Sequence, residues 1–226
     1  MPYLLIFIII FIHELGHFIT AKLLKFEIDK IYLYPFGGIS KIAISLNESI
    51  IKELLVLIMG PLIQILGTLI LIKLNIFNRY NIYLYNTSKE LLMFNLLPIY
   101  PLDGGRIINI ILNSKLNIKQ SFKLVIKISI ITIICFLIYN LRIKLNIGII
   151  LIVILLIIKL LNEKNIYNEM YNNFLLERYL NKYNFKGIKY INNINEFYRN
   201  KRHIIKYKNN YLSEKEILSE KFNLIY

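Results

Sequence analysis

Up to about residue 161 the chain alternates long apolar runs with short polar connections, and then it changes character. Five runs of roughly 20 residues, at 2–24, 51–74, 91–112, 122–140 and 145–161, are long enough to cross a bilayer. A backbone in lipid must satisfy its own hydrogen bonds, so each run is predicted to be helical except where protein covers a break. The third run contains such a break: Pro98 and Pro101, followed by Gly104-Gly105, do not fit a regular helix. Irregular backbone at that depth is tolerated where it lines a cavity or a site. The last two runs read as plain apolar helices.

Between the first two runs lies a polar connection, Lys25 to Asn47. Ile31-Tyr32-Leu33-Tyr34 favours extended structure, Pro35-Phe36-Gly37-Gly38 signals a turn, and Ile39 to Leu46 suits a return strand. A hairpin here would offer an edge to which an unwound peptide can add as a strand. A simple connecting turn fits the same residues equally well. In the second run, Gly60-Pro61 and Gly67 suit close helix packing.

Past Glu163 the chain is polar and rich in Asn and Lys. Met170 to Tyr183 reads as an amphipathic helix, 188–191 and 203–207 as strands, and 195–200 as a further helix. Ser213 to Phe222 reads as a helix opened by a capping box of Ser213 and Glu216. The expected fold is an all-α polytopic membrane protein with about five transmembrane helices, one of them broken, and a short membrane-associated hairpin. Residues 1–161 form its core, and 162–226 a small cytosolic α/β tail.

Composition supports the membrane assignment: the 226 residues are 56% hydrophobic, with a mean hydropathy of +0.52. The formal net charge is +14. A chain so rich in Ile, Lys, Asn and Tyr carries part of that charge as compositional bias, so no nucleic-acid partner is inferred and the charges are read as topology signals. Lys22, Lys25, Lys30, Lys41 and Lys52 surround the first connection, and Lys115, Lys119, Lys123 and Lys127 the third. The other two offer Lys73, Arg79 and Lys89, then Arg142 and Lys144. The N-terminus is therefore expected outside and the basic tail in the cytosol. The N-terminal run lacks the basic start and small-residue cleavage site of a signal peptide. The lone cysteine, Cys135, lies inside a run and is read as a buried apolar residue.

The chemistry sits in the first run, at His13-Glu14-Leu15-Gly16-His17. On a helix, residues four apart share a face, so both histidines can point at one metal ion, with Glu14 close enough to reach a water on it. Catalytic zinc usually takes three protein ligands and keeps a position open. Asp103, at the break in the third run and one of two aspartates in the chain, is the candidate third ligand. Glu53 and Glu90 stand at run ends beside Lys52 and Lys89 and read as solvated charges. A polar cluster at membrane depth is costly and marks a functional site. Two other classes use similar ligands: a metal-binding membrane transporter and a silent scaffold. A transporter has no need of Glu14 and often shows repeated halves, which this chain lacks. A silent scaffold would be free to lose one member of the set.

His-Glu-Leu-Gly-His at 13–17, with Asn95-Leu-Leu-Pro-Ile-Tyr-Pro-Leu-Asp-Gly-Gly-Arg106, resembles the site-2 protease family of intramembrane zinc metalloproteases. Leu33 to Gly38, Gly60-Pro61 and Phe174 to Tyr179 resemble its sporulation branch. The resemblance implies one catalytic zinc ion held by His13, His17 and Asp103, with Glu14 as general base. It also implies that Asn95, Pro98 and Pro101, and the Phe36-Gly37-Gly38 loop, face substrate. The implied substrate is the precursor of the sigma factor sigma-K, cleaved at a cytosol-facing site in the mother-cell membrane around the forespore, with inhibitory membrane proteins as further partners. The tail resembles an abbreviated cystathionine-β-synthase-type module, which suits substrate docking more than a nucleotide response. Sporulation members usually carry one more span before the histidine motif, which here begins at residue 13.

Overall fold

Helix α1, Pro2–Leu23, begins the chain and is followed by strands β1, Ile28–Tyr34, and β2, Gly37–Ile42. The computed structural model describes residues 2–26, 28–34, 37–42, 45–143, 146–185, 187–207 and 210–223. Helices α2, Ile50–Lys73, α3, Asn81–Asn95, α4, Asp103–Lys115, α5, Ile118–Ile143, and α6, Ile147–Leu180, come next. Strands β3, Ile188–Ile191, β4, Arg202–Tyr207, and β5, Asn210–Ser213, precede the last helix, α7, Glu214–Asn223.

Among the described residues, three helices are long and apolar enough to cross a membrane: Pro2–Leu23, Ile50–Lys73 and Ile118–Leu141. The break expected in the run at 91–112 is present, and the run divides into two elements. α3 stops at Asn95, α4 starts at Asp103, and the residues between form turns. Pro98 and Pro101 have no N–H to give a helix, and their rings clash with the preceding turn. The run expected at 145–161 is the first half of α6. Its uninterrupted apolar stretch, 147–158, covers about 18 Å at the helical rise, short of a hydrocarbon core of about 30 Å.

The chain divides into two compact units. One comprises residues 1–44, 51–97 and 102–104. In it Leu5 and Ile9 of α1 bury against Leu84 of α3, with Leu71 and Ile72 of α2 alongside. α1 and α2 approach closely: a Cβ on Gly16 would lie 2.5 Å from the Met59 carbonyl oxygen, and one on Gly67 would lie 2.7 Å from Ile12. Apolar side chains such as Phe7, Phe11, Leu62, Leu66 and Leu69 face outward, as a lipid solvent permits. β1 and β2 pair as an antiparallel hairpin, with Leu33 opposite Gly38 and Tyr34 opposite Gly37. Thus the hairpin forms, and β2 lies beside α1.

The second unit comprises residues 45–50, 98–101 and 105–226. The stretch 162–226 contains the C-terminal half of α6, a three-stranded sheet and α7. β3 runs parallel to β4, and β4 antiparallel to β5. The core joins Ile118 of α5, Tyr171, Phe174 and Leu175 of α6, Ile191, Phe197 and Ile205, and Ile217 and Leu218 of α7. A file of rings runs Tyr100, Phe122, Tyr167, Tyr171, Phe174, Phe197, with successive centroids 5.8, 3.9, 6.2, 5.8 and 6.3 Å apart. The capping box forms: Glu216 accepts from the Ser213 N–H at 2.7 Å, and the Ser213 hydroxyl accepts from the Glu216 N–H at 3.4 Å. The helix expected at 195–200 is only a 3-10 turn, Ile194–Glu196, and β5 completes the sheet.

Candidate metal centre

α1 sets His13 and His17 one turn apart on its buried face. The Nδ1 of His17 lies 2.9 Å from the Val56 carbonyl oxygen. A carbonyl only accepts, so that nitrogen carries the proton and the lone pair falls on Nε2. The Nδ1 of His13 lies 2.9 Å from Gln64 Oε1. The two Nε2 atoms are 3.1 Å apart. Asp103 Oδ2 stands 3.0 Å from His13 Nε2 and 3.4 Å from His17 Nε2.

Two imidazole nitrogens and one carboxylate oxygen thus converge on one point. Zinc bonds of about 2.0–2.1 Å in a tetrahedron separate neighbouring ligand atoms by about 3.3–3.4 Å, close to the spacing here. The donor set suits zinc in charge, number and softness. Among the described residues this is the one group of three or more His, Cys, Asp or Glu side chains close enough to hold an ion. Glu53 and Glu90 lie outside it.

The backbone around the cluster leaves little room. A Cβ on Gly60 would lie 2.2 Å from His17 Nε2, so the imidazole rests directly on α2. A Cβ on Gly104 would lie 2.2 Å from the Leu96 carbonyl oxygen and 2.4 Å from that of Leu97. Glycine after Asp103 therefore lets the first turn of α4 close onto the chain break. The Asn95 side-chain nitrogen stands 3.4 Å from His13 Nε2, at the rim of the cluster. Glu14 is half-buried and three residues from His17, which makes the two neighbours on the helix surface. Pro98 and Pro101 lie between α3 and α4; Gly37 and Gly38 open β2, and Phe36 lies outside the described residues.

The model of peptidase family M50 matches residues 2–82. A solved structure, the site-2 protease from Methanocaldococcus jannaschii, superposes with a TM-score of 0.57 at 31% identity, covering 71% of this chain and 76% of that one. The chain belongs to the site-2 protease family. Two sequence relatives are also similar to this chain. Stage IV sporulation protein FB of Bacillus subtilis (strain 168) is 32% identical over 133 residues, 56% of this chain and 46% of that protein. Zinc metalloprotease MJ0392 of Methanocaldococcus jannaschii is 34% identical over 146 residues, 62% of this chain and 42% of that protein. The chain spans less than half the length of these two relatives.

The sequence motifs alone do not reveal the partners behind the histidines. Gln64, Thr68 and Ser88 are all buried and hydrogen-bonded to one another. The available signal was a single glutamine in the apolar stretch Leu62-Ile63-Gln64-Ile65-Leu66. An amide at membrane depth needs partners, and its partners mark buried structure.

Proposed function

We propose that the chain is an intramembrane zinc metalloprotease that hydrolyses a peptide bond at or near the membrane surface. The convergence of His13 Nε2, His17 Nε2 and Asp103 Oδ2 within 3.4 Å carries this reading. Zinc held by these three would act as a Lewis acid on the scissile carbonyl and lower the pKa of a water to about 7. Glu14 takes the proton from that water and delivers it to the leaving amine. The Asn95 amide, at the rim of the cluster, donates to the carbonyl oxygen as charge develops on it. An extended substrate pairs with an edge of the β1–β2 hairpin, close to the loop at 36–38. Pro98 and Pro101 hold the break open beside it.

The favoured substrate is the sigma-K precursor, from which the enzyme removes the pro-sequence during sporulation. A membrane-bound anti-sigma factor is the runner-up. The basic first and third connections and the basic tail support a cytosol-facing site, with residues 162–226 as a cytosolic tail that docks substrate. The working location is the mother-cell membrane around the forespore, where inhibitory membrane proteins hold the enzyme silent.

The test is co-expression with the sigma-K precursor of the same genome, comparing wild type with Glu14→Gln on a gel. A shortened product with wild type alone supports the reaction, the substrate and the base together. No product from either rejects sigma-K, and the anti-sigma candidates are then run in the same assay.

A further inference from the structure

Gln64 projects from α2 into the interior and is 1% exposed, at a depth where an unpaired amide is costly. Its amide nitrogen stands 2.9 Å from the Ser88 carbonyl oxygen and 3.1 Å from Ser88 Oγ. Thr68 donates its hydroxyl to the Gln64 carbonyl oxygen at 2.8 Å, and Thr68 Oγ1 lies 2.9 Å from Ser88 Oγ. One arrangement of protons satisfies this set. The Thr68 proton is spent on the backbone carbonyl, so the Ser88 hydroxyl donates to Thr68 and keeps a lone pair for the Gln64 amide. The other amide proton goes to the Ser88 carbonyl. Gln64 Oε1 is left facing His13 Nδ1 at 2.9 Å, able only to accept.

A flipped amide would set its oxygen against the Ser88 carbonyl and its NH2 against His13. Ser88 therefore fixes the amide, and the amide fixes the histidine: Nδ1 holds the proton and Nε2 is bare. The opposite tautomer would put a proton on Nε2, 3.0 Å from Asp103 Oδ2. That hydrogen bond would tie up two of the three ligand atoms.

We infer that Gln64, locked by Ser88 and Thr68, is the positioning residue that holds His13 in the tautomer able to bind the metal through Nε2. The inference rests on the zinc reading of His13, His17 and Asp103 and adds a residue to it. Partners behind metal-bound histidines commonly contribute 10–100-fold to metal affinity.

The test measures zinc affinity of the purified full chain in detergent by chelator competition, with the visible spectrum of the cobalt-substituted protein as a second readout. Neither needs a substrate. Gln64→Met keeps the bulk and removes the acceptor; zinc affinity is expected to fall about 10–100-fold and the cobalt bands to shift. Gln64→Glu retains an oxygen for Nδ1–H and, protonated on its other oxygen, still donates to the Ser88 carbonyl, so its zinc affinity is expected to stay well above that of Gln64→Met. A folded Gln64→Met protein with wild-type affinity and spectrum overturns the inference. If Gln64→Met does not fold, Gln64→Glu decides. Tight zinc and wild-type bands support the acceptor role, and loss of zinc from a folded Gln64→Glu protein overturns it. Wild type that takes up no stoichiometric zinc refutes the metal centre itself, an outcome distinct from either variant's.

Discussion

Gly60 and His17 occupy one space: a methyl group on the glycine would lie 2.2 Å from the histidine Nε2. The ring cannot swing aside freely, because its Nδ1 is held by the Val56 carbonyl one turn earlier on the same helix. Gly60→Ala should therefore displace Nε2 and break the ligand triangle. Zinc affinity should fall at least about tenfold, by analogy with other disturbed ligand supports. Zinc-to-protein ratios after dialysis against a chelator would show this, and retention of wild-type zinc would contradict the packing argument.

Glu14→Gln removes the proposed base and leaves all three ligand atoms in place. Cleavage should drop about 10²–10⁴-fold, the span that general bases contribute. Bound zinc should stay at the wild-type level, which separates this variant from a ligand variant.

Asp103→Asn replaces a charged oxygen with a neutral amide. Zinc affinity and cleavage should fall together, by more than the 10–100-fold typical of losing a partner behind a ligand. Normal cleavage by this variant would remove Asp103 from the ligand set.

Arg178 is buried in the second unit, where its guanidinium donates to the Lys201, Tyr198 and Arg199 carbonyls, to Asn47 and to Glu214. Arg178→Met strands all of these acceptors, including a carboxylate. Breaking a buried pair in this way costs about 3–5 kcal/mol. Hydrogen–deuterium exchange at 188–207 should accelerate accordingly, and unchanged protection would refute the role.

Burial holds His203 neutral, below its usual pKa, against the opposing pull of the Glu214 carboxylate; Arg178 and Lys201 push the same way as burial. Its Nε2 accepts from the Tyr198 N–H at 2.9 Å, while Nδ1 faces Glu214 at 2.6 Å. The folded state thus binds its proton less readily than the unfolded chain. The stability this contributes is present above the unfolded value of about 6.5 and is lost as pH falls through the lower folded value. Protection factors in the tail, which divide out the slower intrinsic exchange at lower pH, should fall between pH 7.5 and pH 5.5 in wild type, with a shallower response in His203→Gln. Equal slopes would assign the pH dependence to other groups.

The convergence of His13, His17 and Asp103 was easier to read than the architecture. His13, Glu14 and His17 show in sequence because a four-residue spacing has one meaning on a helix, and Asp103 because two prolines announce a break beside it. Asn95, which only the family resemblance singled out, lies 3.4 Å from His13 Nε2. Gln64 escaped because nothing local says which way one amide points; its role appears only when α3 brings Ser88 against it. The break in the run at 91–112 was legible from the same prolines, and α3 ends and α4 begins on either side of it. The run at 145–161 is not among the three described helices long and apolar enough to cross a membrane, because α6 passes from a short apolar stretch straight into the tail core. β5 is only four residues, with no alternation for a pattern to register.

Segment 45–50 belongs to the second unit, although in sequence it sits between the hairpin and α2. Asn47 bonds the Phe174 carbonyl, Glu177 and Arg178; Ser45 bonds Glu177; and Arg199 donates to the Leu46 and Glu48 carbonyls. A shortened chain ending near residue 181 would keep α6 but lose Arg199, and the turn that leads into α2 would be cut loose at the two carbonyls it offers. Such a truncation is not a clean domain deletion. Lost cleavage in a tailless protein would confuse a missing docking platform with a loosened lead-in to the helix that carries Gly60 and Gln64. Point substitutions on the exposed face of the tail sheet, at Tyr190 and Tyr211, separate the two.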